Sequence, residues 1–191
     1  MKKSSVIIIA VIVILAGWFI VQYNSLVTED EQVKNKWNEV QNSYQRRMDL
    51  VPSLVNVVKG LTNYEQTTLV EVTEARSKAA SVNVTNISAD AYNQQAAAQD
   101  ALAASSNKLL VTVEKYPELK GTAAFKGLQV QLEGTERRIK FARKDFNAAV
   151  NEYNSSVRSF PTDIVAGITG FHSEDGFQAD AGTDKSVEIK F

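Results

Sequence analysis

From Val6 to Val21 the chain reads VIIIAVIVILAGWFIV, with no charged or strongly polar side chain. With Ser4, Ser5, Gln22 and Tyr23 at its edges the segment is about 20 residues, roughly 30 Å as a helix, which matches the hydrocarbon layer of a bilayer. Trp18 and Tyr23 suit the interface at its far end. A cleaved signal peptide needs small residues ahead of the cut. Here Ala16-Gly17 is followed by more apolar sequence, Trp18-Phe19-Ile20, so the segment reads as an uncleaved anchor. Lys2 and Lys3 precede it, and Glu29, Asp30 and Glu31 follow it. The positive-inside rule predicts residues 1–5 in the cytoplasm and a single-pass anchor over 6–23 in the plasma (inner) membrane. It places the large C-terminal domain outside the cytoplasm.

Composition narrows the chemistry of the rest. The 191 residues suffice for one domain of ordinary size plus extras. Basic residues (21) nearly balance acidic ones (22), so a global basic field for nucleic acid is absent. There is no cysteine, hence no disulfide framework and no thiolate metal site. His172 is the only histidine, which excludes a zinc site of His and Cys ligands and leaves any His-based triad to that one residue. The inventory predicts a protein that is not an enzyme and holds no cofactor or metal.

Beyond the anchor, apolar and aromatic residues recur at Val33, Trp37, Val40, Tyr44, Val51, Leu54, Val58 and Leu61. The steps alternate four and three, and Arg47 fills the one open slot, which is the pattern of a heptad seam in a left-handed bundle. Gly60 suits a C-terminal cap, and Thr62-Asn63-Tyr64-Glu65 reads as a capping box opening a second helix with Leu69, Val72 and Ala79. The polar, asparagine-rich stretch Ser81 to Ser88 reads as a loop. A third, alanine-rich helix is predicted over 89–114, with Ala98, Leu102, Leu109 and Val113 on one side, followed by a turn over 116–121. The fourth helix is long, about 122–159. Its seam is Phe125, Leu128, Leu132, Thr135, Ile139, Ala142, Phe146, Ala149, Tyr153, Val157 and Phe160, and Pro161 stops it.

The expected fold is therefore all-α: an N-terminal transmembrane helix followed by an up-and-down four-helix bundle with long helices over 24–161. One continuous helix from Thr28 to Ala80 is the competing arrangement, and it leaves the seam near the membrane poorly covered. Residues 162–191 are expected as an extended or flexible C-terminal tail, because the end of the chain is rich in Gly, Asp and Ser and has no helical period.

Several side chains stand out within this frame. If the first and fourth helices run antiparallel, Arg47 lies opposite Glu136 or Arg137, and pairing with Glu136 is predicted because an unpaired buried charge costs several kcal/mol. Such a pair either fixes helix register or forms part of a site for an anionic ligand. Pro52 either starts a fresh helical turn after Asp49 or kinks a continuous helix, and a kink frees a backbone carbonyl near Met48 for Arg46 or Arg47 to satisfy. Asn147 and Asn154 lie seven apart, each preceded by an aromatic residue, Phe146 and Tyr153. Asn147, Tyr153 and Asn154 are thus candidates either for partner contact with a helix or extended peptide, or for capping the membrane-proximal end of the bundle. Glu65, Glu74, Arg76, Glu136 and Arg143 read as structural ion pairs, since the Glu-x-x-His pairs of a di-iron bundle are missing. Arg137, Arg138, Lys140, Arg143 and Lys144 read as a solvated basic face.

The motifs also carry a family likeness. They begin with Tyr23-Asn24-Ser25-Leu26-Val27, Trp37, Gln45-Arg46-Arg47, Asp49-Leu50-Val51-Pro52-Ser53-Leu54-Val55, Lys59-Gly60, Glu65 and Glu74-Ala75-Arg76. They continue with Tyr116-Pro117-Glu118-Leu119-Lys120, Phe125, Leu128-Gln129, Thr135-Glu136, Ile139, Ala142-Arg143, Phe146-Asn147, Tyr153-Asn154 and Phe160-Pro161. In this order they resemble the LemA family of bacterial membrane-anchored proteins, over about residues 20–171. Phe146 departs from the family pattern, where tyrosine is frequent. The resemblance implies one N-terminal transmembrane helix and a four-helix bundle. It implies no catalytic activity, and the family's frequent gene neighbours, membrane proteases of the heat-shock metalloprotease type and TPM-domain proteins, imply envelope maintenance.

The function expected from these readings is a non-enzymatic scaffold or adaptor of the cell envelope, linked to membrane proteostasis. Its partners are the lipid bilayer, a second copy of the chain, and a membrane protease or other envelope protein. Nucleic acid is not among them. The alternative is an envelope sensor or ligand-binding helical domain, with a polar pocket near Arg47 or Asn147.

Overall fold

The computed structural model describes residues 3–60, 66–82, 88–113 and 115–177. These residues are all-helical, with no strand among them. The helices are α1 (Lys3–Lys59), α2 (Gln66–Ser81), α3 (Ala89–Val113), α4 (Pro117–Lys120), α5 (Ala123–Arg158) and α6 (Thr162–Thr169). The expected capping box at 62–65, Leu61 and most of the asparagine-rich loop lie outside the described residues.

α1 is a single helix of 57 residues, about 85 Å at the usual rise. It passes through the expected anchor boundary at residue 23 without a break. Its N-terminal part is long and apolar enough to cross a membrane. There the apolar side chains face outward: Ile7, Val13 and Ile14 are 63%, 64% and 70% exposed. From Leu26 onward the pattern changes to one buried stripe. The long continuous helix ends at Lys59, well short of Ala80, so α1 and α2 are separate helices.

The chain divides into two compact units. In the first, Met1–Arg47 packs with Glu133–Asp175. The stripe of α1 (Leu26, Val33, Trp37, Val40, Tyr44, Arg47) is buried with Thr135, Ile139, Ala142, Phe146, Val150, Tyr153 and Val157 of α5. From Val33 onward on α1 and throughout on α5 the steps are three and four, with Leu26 one heptad before Val33, so each helix presents one seam. Val150 takes the seam place expected for Ala149, which is half-buried. Phe160, also expected in the seam, is 81% exposed. α5 ends at Arg158, so helical periodicity no longer sets the direction of residue 160.

The expected extended tail from residue 162 is corrected by α6, whose Val165 and Ala166 are buried. The sequence TDIVAGIT is poor in strong helix formers, so this burial and a C-terminal cap stabilise the helix rather than propensity. Gly170 supplies the cap. It adopts the left-handed conformation (φ 83°) that L side chains avoid, and the N–H groups of Gly170 and Phe171 both donate to the Ala166 carbonyl.

Among the described residues, the second unit joins Met48–Leu132 with Gly176 and Phe177. Its core gathers Val51, Leu54, Val55 and Val58 of α1, Leu69, Val72 and Ala79 of α2, Leu102, Leu109 and Val113 of α3, Leu119 of α4, and Phe125 and Leu132 of α5. The expected turn at 116–121 contains α4, which begins at Pro117 and buries Leu119. Thr122 then caps α5, its hydroxyl accepting from the Phe125 N–H at 3.2 Å. On α3 the buried stripe is Tyr92, Gln95, Gln99, Leu102, Ser106, Leu109 and Val113, while Ala98 is only half-buried. Three of those seam positions are polar, which apolar periodicity does not reveal.

Pro52 sits inside α1 and has no N–H for the carbonyl one turn before it, that of Met48. The residue that answers this carbonyl is Arg76 of α2, whose Nε donates to it at 3.0 Å. Of the expected donors, Arg46 is exposed and Arg47 bonds Glu136. Arg76→Ala is expected to destabilise the protein by about 1–2 kcal/mol by leaving that carbonyl unanswered. In Pro52→Ala the restored N–H takes over, so the cost of Arg76→Ala falls. A double-mutant cycle of unfolding free energies in mild detergent measures this coupling.

Candidate functional site

The polar chemistry of the first unit lies along the facing stripes of α1 and α5. Trp37 stacks on Phe146 with ring centroids 5.5 Å apart and planes tilted by 55°. About two turns further along α1, the Tyr44 hydroxyl accepts a 2.8 Å hydrogen bond from Arg143 Nε. Then Arg47 meets Glu136: Nε donates to Oε1 at 2.8 Å and a terminal guanidinium nitrogen donates to Oε2. As the residue numbers rise in α1 they fall in α5, so the helices are antiparallel.

The two ends of the Arg47–Glu136 pair have different surroundings. Arg47 is 2% exposed, whereas the Glu136 side chain is 41% exposed. The guanidinium is therefore held in the seam while the carboxylate reaches solvent. A fork of two parallel bonds also fixes the angle between donor and acceptor, which a single apolar contact cannot do. Arg143 leaves the expected solvated basic face to bond Tyr44, while Arg137, Arg138, Lys140 and Lys144 remain exposed.

The candidates for partner contact turn inward. Tyr153 is 2% exposed. Asn154 spends its amide on the chain's own C-terminal segment: Nδ2 donates to the Glu174 carbonyl at 2.7 Å, and the Glu174 N–H donates to Oδ1 at 2.8 Å. An asparagine amide offers one donor and one acceptor in a plane, matching the two backbone groups of an extended residue. Tyr153 is buried and Asn154 makes an internal contact, and Asn147 is half-buried with interactions of its own. The extended peptide that Asn154 engages is residue 174 of the same chain.

This segment crosses an acidic neighbourhood. Burial, with Asp30 and Glu174 nearby, pushes the Tyr153 hydroxyl up to about 12. Burial, with the charges of Asp30 and Asp175, also raises the Glu174 carboxyl above the usual range. Lys34 answers the acids by hydrogen bonding Asp30 at 2.7 Å and Glu31 at 2.9 Å, and its pKa is held above that of a free lysine.

An open groove of about 470 Å³ lies along α1 and α5, lined by Gln32, Asn35, Lys36, Glu39, Asp145 and Glu152 among others. In the second unit a cavity of about 220 Å³ is lined by Leu110, Val111, Lys120, Phe125 and their neighbours. Neither is lined by Arg47 or Asn147, where the alternative sensor reading expects a polar pocket. Among the described residues no group of three or more His, Asp or Glu side chains stands ready for a metal ion. His172 is exposed.

Residues 36–191 match the sequence model of the LemA family. Magnetosome proteins MamQ 1 and MamQ 2 of Paramagnetospirillum magneticum are each 23% identical over 201 aligned residues, covering 95% of this chain and 74% of theirs. Protein LemA of Metamycoplasma hominis is 24% identical over 156 residues, covering 82% of this chain and 68% of its own length.

The unequal burial of the ion pair sets an unequal mutational response. Glu136→Ala removes the carboxylate that faces a buried cation and is expected to cost about 2 kcal/mol, reduced from a fully buried pair because the carboxylate is partly solvated. Arg47→Met keeps the seam filled and leaves a carboxylate that water can reach, so its cost is less than half of that. Chemical unfolding of both variants in mild detergent checks the order. Acidity acts on the docked segment. The Glu174 pKa is raised in the folded state, so the ionised form opposes docking. Stability is lowest once Glu174 is ionised and rises as pH falls through the raised pKa. Glu174→Gln is expected to raise Tm at pH 7, with the difference from the parent narrowing toward pH 4 in scanning calorimetry.

Proposed function

This chain belongs to the LemA family, and we propose that it is a non-enzymatic scaffold of the bacterial cell envelope, tethered by the apolar part of α1. The observation that carries this reading is the change of surface along one unbroken helix. Val6 to Leu15 present apolar side chains outward, and from Leu26 the same helix buries its stripe against α5. An outward apolar surface of that length is favourable in hydrocarbon and costly in water. The absence of a joint supports a body held close to the bilayer rather than swinging on a linker.

In this reading the four long helices α1, α2, α3 and α5 form an up-and-down four-helix bundle, with its large part outside the cytoplasm as the flanking charges favour. The exposed surfaces of the bundle bind a second copy of the chain and an envelope protein such as a membrane protease. The pairing of Asn154 with the chain's own segment leaves the exposed helix faces as the surface for such partners.

A lysine-reactive cross-linker that cannot cross membranes, applied to intact spheroplasts, tests the proposal. The expected result is a ladder of self-complexes, together with one reproducible envelope protein identified by mass spectrometry. Cross-linking only with a membrane-permeant reagent would overturn the orientation. A lone monomer with both reagents would overturn the scaffold reading.

A further inference from the structure

The short helix α6 has a surface that the packing of the first unit does not use. Val165 and Ala166 face the protein and are buried, and Thr162 and Thr169 flank them half-buried. Of the exposed residues, Ile164 and Ile168 lie one turn apart on one flank, 51% and 70% exposed. Asp163 and Gly167 lie on the other flank. Phe160, 81% exposed, adds an aromatic ring just ahead of the helix. Three large apolar side chains within nine residues are thus left uncovered, beside a flank that is polar or bare.

The position of α6 along α1 explains what such a surface is for. At its start, the Thr162 hydroxyl bonds the Gln22 side chain at 3.2 Å. Just past its end, where Gly170 reverses the chain, the Phe171 ring meets Tyr23 with centroids 5.9 Å apart. Gln22 and Tyr23 are adjacent, about 1.5 Å apart along the axis of α1, whereas eight helical residues span about 12 Å. Two ends tied to one level of α1 place α6 across that axis rather than along it. That level is the boundary of the outward-facing apolar run, one residue beyond Val21.

We infer that α6 is an interfacial helix, lying in the plane of the bilayer surface with Phe160, Ile164 and Ile168 in the boundary between headgroups and acyl chains. The inference rests on the proposal that α1 spans the membrane, and it adds a second membrane contact formed by the other end of the sequence. The occupant is lipid because the uncovered flank belongs to a helix tied to α1 at Gln22 and Tyr23, the level where the outward apolar run of α1 ends. Asp163 on the opposite flank turns toward water. A short helix of this kind does not hold the protein in the membrane alone. It fixes the tilt and rotation of α1, as interfacial aromatic and apolar side chains do in helices flanked by Trp and Tyr.

The chain has no cysteine, so single-cysteine spin labels can be placed without removing native thiols. Ile164→Cys, Ile168→Cys, Asp163→Cys and Val11→Cys are made in the full chain, labelled with a nitroxide and reconstituted in phosphatidylcholine–phosphatidylglycerol vesicles. Collision with oxygen, which partitions into lipid, is compared with collision with a water-soluble nickel chelate. The expected result is oxygen dominant at positions 164, 168 and 11, and nickel dominant at 163. If 164 and 168 behave like 163 while 11 stays lipid-like, α6 is not interfacial and the anchor reading stands. If 164 and 168 are shielded from both reagents, a second copy or another protein covers the face, and the inference is overturned. Nickel dominance at position 11 would overturn the anchor reading, and this inference with it.

Discussion

The hydrogen-bond ladder of α1 runs from Lys3 to Lys59 through two different surroundings, with a donor missing at Pro52. An α-helix satisfies its backbone internally, so the same ladder serves beside hydrocarbon and inside a packed seam, and only the side chains need change. That continuity imposes a phase. The positions of Leu26, Val33 and Trp37 determine where Tyr44 and Arg47 point, and α5 matches them with Phe146, Arg143 and Glu136. Near Pro52 the ladder is completed from outside, by Arg76.

Polar groups in the seams do not gain stability in proportion to their number. Burying a side chain such as Trp37 or Phe146 contributes about 2 kcal/mol from the removal of apolar surface alone. A buried arginine contributes little net once desolvation is counted, and the benefit of its fork is angular. The seam of α1 and α5 therefore takes its energy from the aromatic contacts and its alignment from Arg47 with Glu136. The polar stripe of α3, Gln95, Gln99 and Ser106, is a different case. These residues bury less apolar surface than Leu102, Leu109 and Val113 do, so they contribute less to the stability of the seam.

Much of this was legible in the sequence where a rule of spacing applied. The apolar run shows its length directly, and alternating steps of three and four outline the seams of α1 and α5. Counting back along antiparallel helices brings Arg47 level with Glu136. The remaining features depend on tertiary geometry that leaves little local trace. α6 has β-branched residues and a glycine, and it exists because Val165 and Ala166 find a surface. Arg76 reaches Met48 only because α2 packs beside α1 near the proline. Asn154 recognises backbone groups of residue 174, which any residue type provides, so no side-chain pattern marks the partner. The glutamines of α3 occupy heptad positions, yet a polar residue in an alanine-rich helix reads as surface.

The lack of a joint between the apolar run and the seam has a mechanical meaning. With α1 in a bilayer, a thinner hydrocarbon layer is met by tilting the helix, and nothing between Val21 and Leu26 can absorb the angle. The lever is long: each residue beyond the interface adds about 1.5 Å of reach, so a tilt of a few degrees at the membrane displaces Arg47 by several ångströms. Bilayer thickness is thereby converted into the height and inclination of the α1–α5 seam above the surface, a quantity that a partner standing in the same membrane would register as distance.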